Sequence, residues 1–174
     1  MDNKFETKIY TLSDIVKEEL MFIIPSYQRP YVWDDIEIKK LLEDLKYNFE
    51  NNTNEYFVGN TYVIKSTKDA RPNLYEVIDG QQRFTTLFLL LFYCALKETR
   101  ADGKNRKEEF LTLIRFEEKI RMCFDFRVRD LTKRFMLELI EKVDSIEQIQ
   151  NIDKQTWFLK DYKNDVSIKS IRNA

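Results

Sequence analysis

Short apolar runs mark the two strands that the chain predicts most clearly. Met21 to Ile24 is an apolar run closed by Pro25, a pattern typical of a buried strand that ends at a proline. Leu74 to Ile78 is rich in β-branched and aromatic residues, which favours a second strand. This second strand leads directly into a polar turn that contains one of the few glycines of the chain.

Longer stretches with apolar positions at helical spacing predict the helices. Capping-box patterns at Thr11 and Asp34 mark two helix starts. The predicted helices run from these starts to Glu19 and Asn51, then from Gln81 to Glu98, from Lys107 to Ile114, and from about Arg129 with an apolar face of Phe135, Leu139, Ile140 and Val143. The second half of the helix that begins at Gln81 is apolar on every side, which predicts a helix packed centrally in the core.

Two further segments have the patterns of strands. Tyr56-Phe57-Val58 and Thr61 to Ile64 predict a strand bent around Gly59, and Lys119 to Phe124 alternates polar and apolar residues as a half-buried strand does. The element order predicts an α+β fold with α/β-like character. We expect a core over residues 1–100 and a mainly helical extension over residues 101–174, truncated from a longer protein because the last helical segment has no C-cap.

Composition and charge limit the class of protein. The chain has 174 residues, the length of about one domain, and 43% of them are hydrophobic, as in a folded protein. Cys94 and Cys123 lie in apolar stretches and predict buried thiols of a reducing compartment, so we expect a cytoplasmic protein. The longest apolar run, Leu87 to Leu96, is about half of what a membrane span requires, so no membrane partner is expected.

Charge and residue absences narrow the chemistry. The net charge is −1, but residues 100–134 contain eleven Lys or Arg against seven Asp or Glu, which indicates either a solvated face or a DNA contact. Because the chain has no histidine, it cannot form a Ser-His-Asp triad or an HNH-type nuclease centre. The three glycines are too far apart for a Walker A or dinucleotide-binding loop. Any phosphate site must therefore be built in another way.

The turn Asp79-Gly80-Gln81-Gln82-Arg83 is the strongest candidate for such a site. It joins a predicted strand to a predicted helix, whose first N–H groups are unpaired and attract an anion. Gly80 permits a tight turn, and the Gln and Arg side chains supply donors for phosphate oxygens. A structural interpretation stays open beside this one: Asp79 caps the helix, and the glutamines bind the neighbouring loop.

Three ordered blocks of the chain resemble the N-terminal domain of GmrSD-type restriction proteins. The blocks are Phe22 to Trp33, Tyr56 to Gly59 and Val77 to Leu87. The resemblance implies a ParB/sulfiredoxin-like fold, with a small mixed sheet and packed helices, and a role in defence against foreign DNA that carries modifications. In that family the D-G-Q-Q-R turn is tied to nucleotide binding and hydrolysis.

The resemblance also implies roles for individual residues. Those assigned to NTP hydrolysis are Asp79, Gln82 and Arg83, and those assigned to nucleotide or phosphate binding are Tyr27, Gln28, Arg29, Gly80 and Gln81. We add Thr85 and Thr86 to the phosphate-binding group because their hydroxyls are further donors. We expect the loop that contains Tyr27 to Arg29 to lie beside Gly80, because both segments follow core strands of one sheet. Helical geometry lets at most one of the two threonines face the site.

Three functions are compatible with these residues. The first is a regulatory domain that binds an NTP with Mg²⁺ and controls a nuclease in cis or in a partner protein. The second is a ParB-like DNA-binding module without hydrolysis, in which Tyr27, Tyr31 and Trp33 either pack in the core or stack on bases. The third is a fragment that is inactive alone. In each case we expect the chain itself not to cleave DNA.

Overall fold

The computed structural model describes residues 6–51, 53, 55–67, 73–99, 102–114, 124–126 and 129–174. Within these residues, four strands form one sheet in the order β2-β3-β1-β4. The strands are β1 (Met21–Ile24), β2 (Tyr62–Lys65), β3 (Leu74–Asp79) and β4 (Phe124–Phe126). β1 is parallel to β3 and β4, whereas β2 is antiparallel to β3. The predicted α+β fold with a small mixed sheet is confirmed.

The two central strands are buried on both faces. Phe22 and Ile24 of β1 and Val77 of β3 belong to the main hydrophobic cluster, whereas Ile23 and Leu74 are buried outside it. Because side chains alternate along a strand, these two groups lie on opposite sides of the sheet. This double burial explains why β1 and the first half of β3 are continuous hydrophobic runs in the sequence.

Seven α-helices are described around the sheet. They are α1 (Leu12–Lys17), α2 (Asp35–Glu50), α3 (Gln81–Lys97), α4 (Lys107–Ile114), α5 (Asp130–Lys142), α6 (Ile146–Gln150) and α7 (Val166–Asn173). Two 3₁₀ helices, Ile152–Lys154 and Lys160–Asn164, connect the last elements. Complete capping boxes at Thr11 and Asp34 begin α1 and α2, as predicted.

The prediction for α3 is correct in position but wrong in burial. Its second half was expected to be enclosed, yet Leu91 is 41% exposed and Tyr93 is also exposed. Cys94 is a free, exposed cysteine and not a buried thiol, and Cys123 lies outside the described residues. Leu91 and Cys94 line an apolar groove of about 260 Å³ between α1, α3 and α4. Apolar residues on every side of the helix therefore include a face that the described residues leave uncovered.

Two strand predictions require correction or fall partly outside the structure. Tyr56 to Val58 is not a strand: residues 55–61 are irregular, and β2 begins only at Tyr62. Residues 59–61 lie against Gly80 and Arg83 and do not pair in the sheet. The predicted strand Lys119 to Phe124 lies outside the described residues except for Phe124, which begins β4.

The C-terminal elements pack on the same core as the N-terminal ones. Phe135, Leu139, Ile140 and Val143 of the α5 region are buried as predicted, in the same hydrophobic cluster as Phe22. The backbone N–H of Tyr31 donates to Ser167 Oγ at 3.0 Å, and β4 pairs with β1. The segments 1–100 and 101–174 thus share one cluster, while their division into core and extension stays a prediction.

Candidate functional site

The candidate turn lies at the carboxyl end of β3, where the helix α3 begins. Gly80 is the N-cap, with a φ of 93°, and it has no side chain with which to cap the helix. A φ in this region favours glycine, and a Cβ on Gly80 would lie 2.8 Å from Thr61 Oγ1. The first N–H groups of a helix have no partner within the helix. The N-terminus of α3 therefore presents main-chain donors and a partial positive charge.

Gln82 of this turn faces inward and holds the loop that follows β1. Its Oε1 accepts hydrogen bonds from the backbone N–H groups of Val32 at 2.8 Å and Trp33 at 3.3 Å, and its Nε2 donates to Pro30 O at 2.9 Å. Only 4% of Gln82 is exposed. One amide therefore satisfies three backbone groups of a loop some fifty residues earlier in the chain.

A second set of amide contacts joins the same loop to β3. Gln81 Nε2 donates to Arg29 O at 2.9 Å, and Gln28 Nε2 donates to Val77 O at 3.2 Å and Ile78 O at 2.8 Å. The predicted proximity of Gln28 and Arg29 to the turn is therefore confirmed. The cause is the one expected: parallel β1 and β3 end at the same edge of the sheet.

The two threonines of α3 also face inward. Thr85 Oγ1 donates to Gln81 O at 2.8 Å, and Thr86 Oγ1 to Gln82 O at 3.0 Å. Thr86 Oγ1 also lies 2.8 Å from the hydroxyl of Tyr31, which is 5% exposed. Burial raises the pKa of the Tyr31 hydroxyl, which favours its protonated, hydrogen-bonding form. Neither threonine side chain faces the exposed side of the turn, although both were assigned to phosphate binding and at most one was expected to face the site.

Asp79 and Arg83 lie on the exposed side of the turn. Asp79 is exposed and Arg83 is partly exposed, and among the described residues no ion pair joins them. The only hydrogen bond described for the guanidinium is a long one, from Nη1 to Asn60 O at 3.4 Å. The guanidinium therefore retains donors for a ligand beside the N-terminus of α3.

The aromatic residues of the loop after β1 also form a buried group and an exposed group. Tyr31 is buried, and Trp33 packs against the hydrophobic cluster, so both have the core-packing role that was one of two alternatives. Tyr27 is 64% exposed, and Arg29 is exposed as well. Of the loop residues assigned to binding, Gln28 is a structural donor, while Tyr27 and Arg29 have accessible side chains.

The segment Gly59-Asn60-Thr61 is a third wall of the site that the sequence assignment missed. Asn60 O would lie 3.2 Å from a Cβ on Gly80, and Gly59 contacts the guanidinium of Arg83. This wall could have been predicted from the position of Gly59 in the second block of the resemblance. The block was interpreted as a bent strand, although two glycines in a chain with only three indicate two close backbone approaches.

Fold and site together define a mixed-sheet α+β domain with an anion-attracting strand-turn-helix. The family model described as "GmrSD restriction endonuclease, N-terminal domain" matches residues 12–174. The chain belongs to this family, and so to the restriction and phage-defence proteins. A search of curated proteins found no match. Among the described residues, no helix is long and apolar enough to cross a membrane.

Proposed function

We propose that this domain binds a nucleoside triphosphate and regulates a nuclease located elsewhere in the protein or in a partner. The observation that carries the proposal is the uncapped N-terminus of α3 with the guanidinium of Arg83 beside it. Main-chain N–H groups and a helix dipole favour a phosphate at such a position. An arginine adds charge-assisted hydrogen bonds to phosphate oxygens.

The inward residues have a different role in this proposal. The polar atoms of Gln81, Gln82, Thr85 and Thr86 bond to the protein itself. We therefore assign Gln81, Gln82 and Thr86 to holding the loop after β1 against the turn, whereas Thr85 bonds within its own helix. The phosphate contacts come from the main chain at Gly80 to Arg83 and from the side chain of Arg83, with Arg29 at the edge of the loop.

Asp79 fits the role of the acidic group in such a site. It is exposed at the end of β3, next to the position proposed for the phosphates. Mg²⁺ is commonly held by one or two carboxylates together with phosphate oxygens, and an Mg²⁺ bound there would neutralise charge on the phosphate chain. We assign Asp79 to this contact and, in the proposed hydrolysis, to orienting a water molecule. Gln82 is not needed for either task.

Tyr27 is the residue we assign to the base. Its ring is exposed on the loop that Gln81 and Gln82 hold against the turn. Aromatic rings stack on bases with little sequence preference, because every base has a π-face. This contact would bind the nucleotide without selecting among ATP, GTP and CTP.

The alternative of a DNA-binding module receives less support from the described basic residues. Within residues 100–134, Arg106 pairs with Glu98 at 3.1 Å, Lys107 with Asp144 at 2.6 Å and Arg129 with Asp165 at 3.4 Å. Basic side chains that are paired inside a protein contribute less to phosphate-backbone binding than unpaired ones. Part of the positive charge of this segment is therefore paired with carboxylates of the protein itself.

A calorimetric titration of ATP, GTP and CTP, each with Mg²⁺, tests the proposal. We expect saturable binding of at least one nucleotide, and competition by inorganic triphosphate. Arg134, an exposed arginine near the start of α5, provides a matched control, since Arg134→Ala should leave binding unchanged. Absence of binding for all three nucleotides, together with DNA binding that is sensitive to salt and indifferent to nucleotide, would contradict the proposal.

A further inference from the structure

The guanidinium of Arg83 lies directly against the backbone of Gly59. A Cβ built on Gly59 would be 2.3 Å from Arg83 Nη1, 2.7 Å from Cζ and 3.3 Å from Nη2. The first two separations are far below any contact that real Cβ atoms make. The bare backbone of a glycine is therefore what allows the guanidinium to occupy this position.

Packing holds the guanidinium more than hydrogen bonding does. The single hydrogen bond described for it, to Asn60 O, is 3.4 Å long, and this length corresponds to a weak interaction. A flexible arginine side chain loses considerable rotamer freedom when it is fixed. Contact with the backbone of Gly59 limits the positions open to the guanidinium before any ligand arrives, which reduces the entropy lost on binding.

The segment that carries Gly59 is held chiefly at its C-terminal end. At its N-terminal end, Tyr56 donates its hydroxyl to Asp44 Oδ2 of α2 at 3.4 Å, which is a weak hydrogen bond. At the other end, Tyr62 pairs with Asp79 in the sheet, and Thr61 lies against Gly80. Burial, followed by the charge of Asp44, raises the pKa of the Tyr56 hydroxyl, so the donor stays protonated. Gly59 is therefore a fixed surface for Arg83.

We propose that Gly59 is a positioning residue, whose missing side chain sets the guanidinium of Arg83 beside the N-terminus of α3. This inference rests on the proposed function for its use in nucleotide binding. The geometry predicts that a methyl group at residue 59 displaces the guanidinium, because the end of an arginine side chain moves more easily than backbone. Gly59→Ala should therefore affect the site through Arg83, with the arginine still present.

Gly103 provides a matched control for backbone strain. Gly59 has a φ of 117° and Gly103 a φ of 78°, so alanine is disfavoured at both. Among the described residues, nothing lies within 4 Å of a Cβ built on Gly103. Gly103→Ala therefore also places a side chain at a positive φ, although at a less strained one, without touching Arg83.

The first test measures the guanidinium without any ligand. The rate at which phenylglyoxal modifies Arg83, followed by mass spectrometry of its peptide, should rise several-fold in Gly59→Ala and stay unchanged in Gly103→Ala. An unchanged rate in Gly59→Ala would overturn the proposal. This readout decides the role of Gly59 even if the protein binds no nucleotide, so failure of the proposed function and failure of this inference can be told apart.

The second test uses inorganic triphosphate as the probe. Gly59→Ala should weaken its binding roughly tenfold or more, approaching the loss expected for one charge-assisted contact, and it should cause no further loss in an Arg83→Ala background. Equal binding by Gly59→Ala and Gly103→Ala would refute the positioning role. If Gly59→Ala does not fold, Arg83→Ala is added: recovery of folding supports the Gly59–Arg83 contact, and continued unfolding shows that Gly59 serves only the backbone.

Discussion

The two sides of the segment from Asp79 to Thr86 differ although the sequence is polar on both. On the inward side, Gln81, Gln82, Thr85 and Thr86 are buried and bonded to the protein. On the outward side, Asp79 and Arg83 are exposed or partly exposed. A helix advances about 100° per residue, so positions 81, 82, 85 and 86 share one face and 83 does not. A segment rich in hydrogen-bond donors therefore indicates a candidate site, but the phase of the helix decides which of the donors are accessible to a ligand.

The two sides also differ in what their side chains contribute: the inward ones stabilise the fold, whereas the outward ones are accessible to a ligand. The inward amides replace water for backbone groups of the loop after β1, so their loss leaves partly buried donors and acceptors unpaired. Among the described residues, the outward Arg83 makes one weak hydrogen bond to the protein. Replacing Arg83 should therefore lower the free energy of unfolding only slightly. Substitutions on the two sides should therefore separate folding from binding.

Gln82→Ala should produce the largest loss of stability. It removes the acceptor of Val32 N–H and Trp33 N–H and the donor to Pro30 O. We expect the free energy of unfolding to fall by about 2–3 kcal/mol, measured by urea denaturation. Gln150→Ala, at an exposed position of α6, is the control and should change it by less than about 0.5 kcal/mol. Equal effects of the two substitutions would show that the inward contacts are not structural.

Gly80→Ala should have the next largest effect. The substitution places a side chain at a φ of 93° and only 2.8 Å from Thr61 Oγ1. We expect a loss of about 1–3 kcal/mol in unfolding free energy, larger than that of Gly103→Ala, where the space is open. If thermal unfolding of both variants shifts equally, contact between Gly80 and Thr61 has no energetic weight.

The hydrogen bond between Tyr31 and Thr86 should contribute less. Tyr31→Phe leaves Thr86 Oγ1 without this partner, and we expect a loss of about 1 kcal/mol in unfolding free energy. Thr86→Val should cost a similar amount. The double variant should cost less than the sum of the single ones, because replacing both partners by apolar groups leaves nothing unsatisfied. Additive losses in a double-mutant cycle would mean that the two hydroxyls act independently.

The sequence predicted the elements with strong local signals. Capping boxes at Thr11 and Asp34 located two helix starts, and continuous apolar runs located β1 and β3, because these patterns depend on neighbouring residues. The proximity of Gln28 to the turn could also be predicted, since parallel strands end at one edge. The strand expected at Tyr56 to Val58 was wrong: this segment is irregular, and the residues 59–61 that follow it contact Gly80 and Arg83.

The position of the candidate turn was predictable, whereas the inward or outward direction of each side chain was not. The turn itself was found from the strand-to-helix transition and the position of Gly80. That Gln81 and Gln82 face inward depends on the phase of α3 relative to a loop fifty residues away, which local pattern does not encode. The same limit applies to Cys94, which apolar neighbours indicated as buried and which lies on the uncovered face of α3.

The most direct test of the account combines binding and stability in Arg83→Ala. We predict that triphosphate binding weakens roughly tenfold to a hundredfold, since one charge-assisted contact is worth about 1.5–3 kcal/mol. The unfolding free energy of the same variant should change by less than about 0.5 kcal/mol. Arg83→Lys, which keeps the charge but loses the bidentate geometry, should bind with intermediate affinity. A large drop in stability with unchanged binding by the folded fraction would contradict the assignment of Arg83 to the ligand.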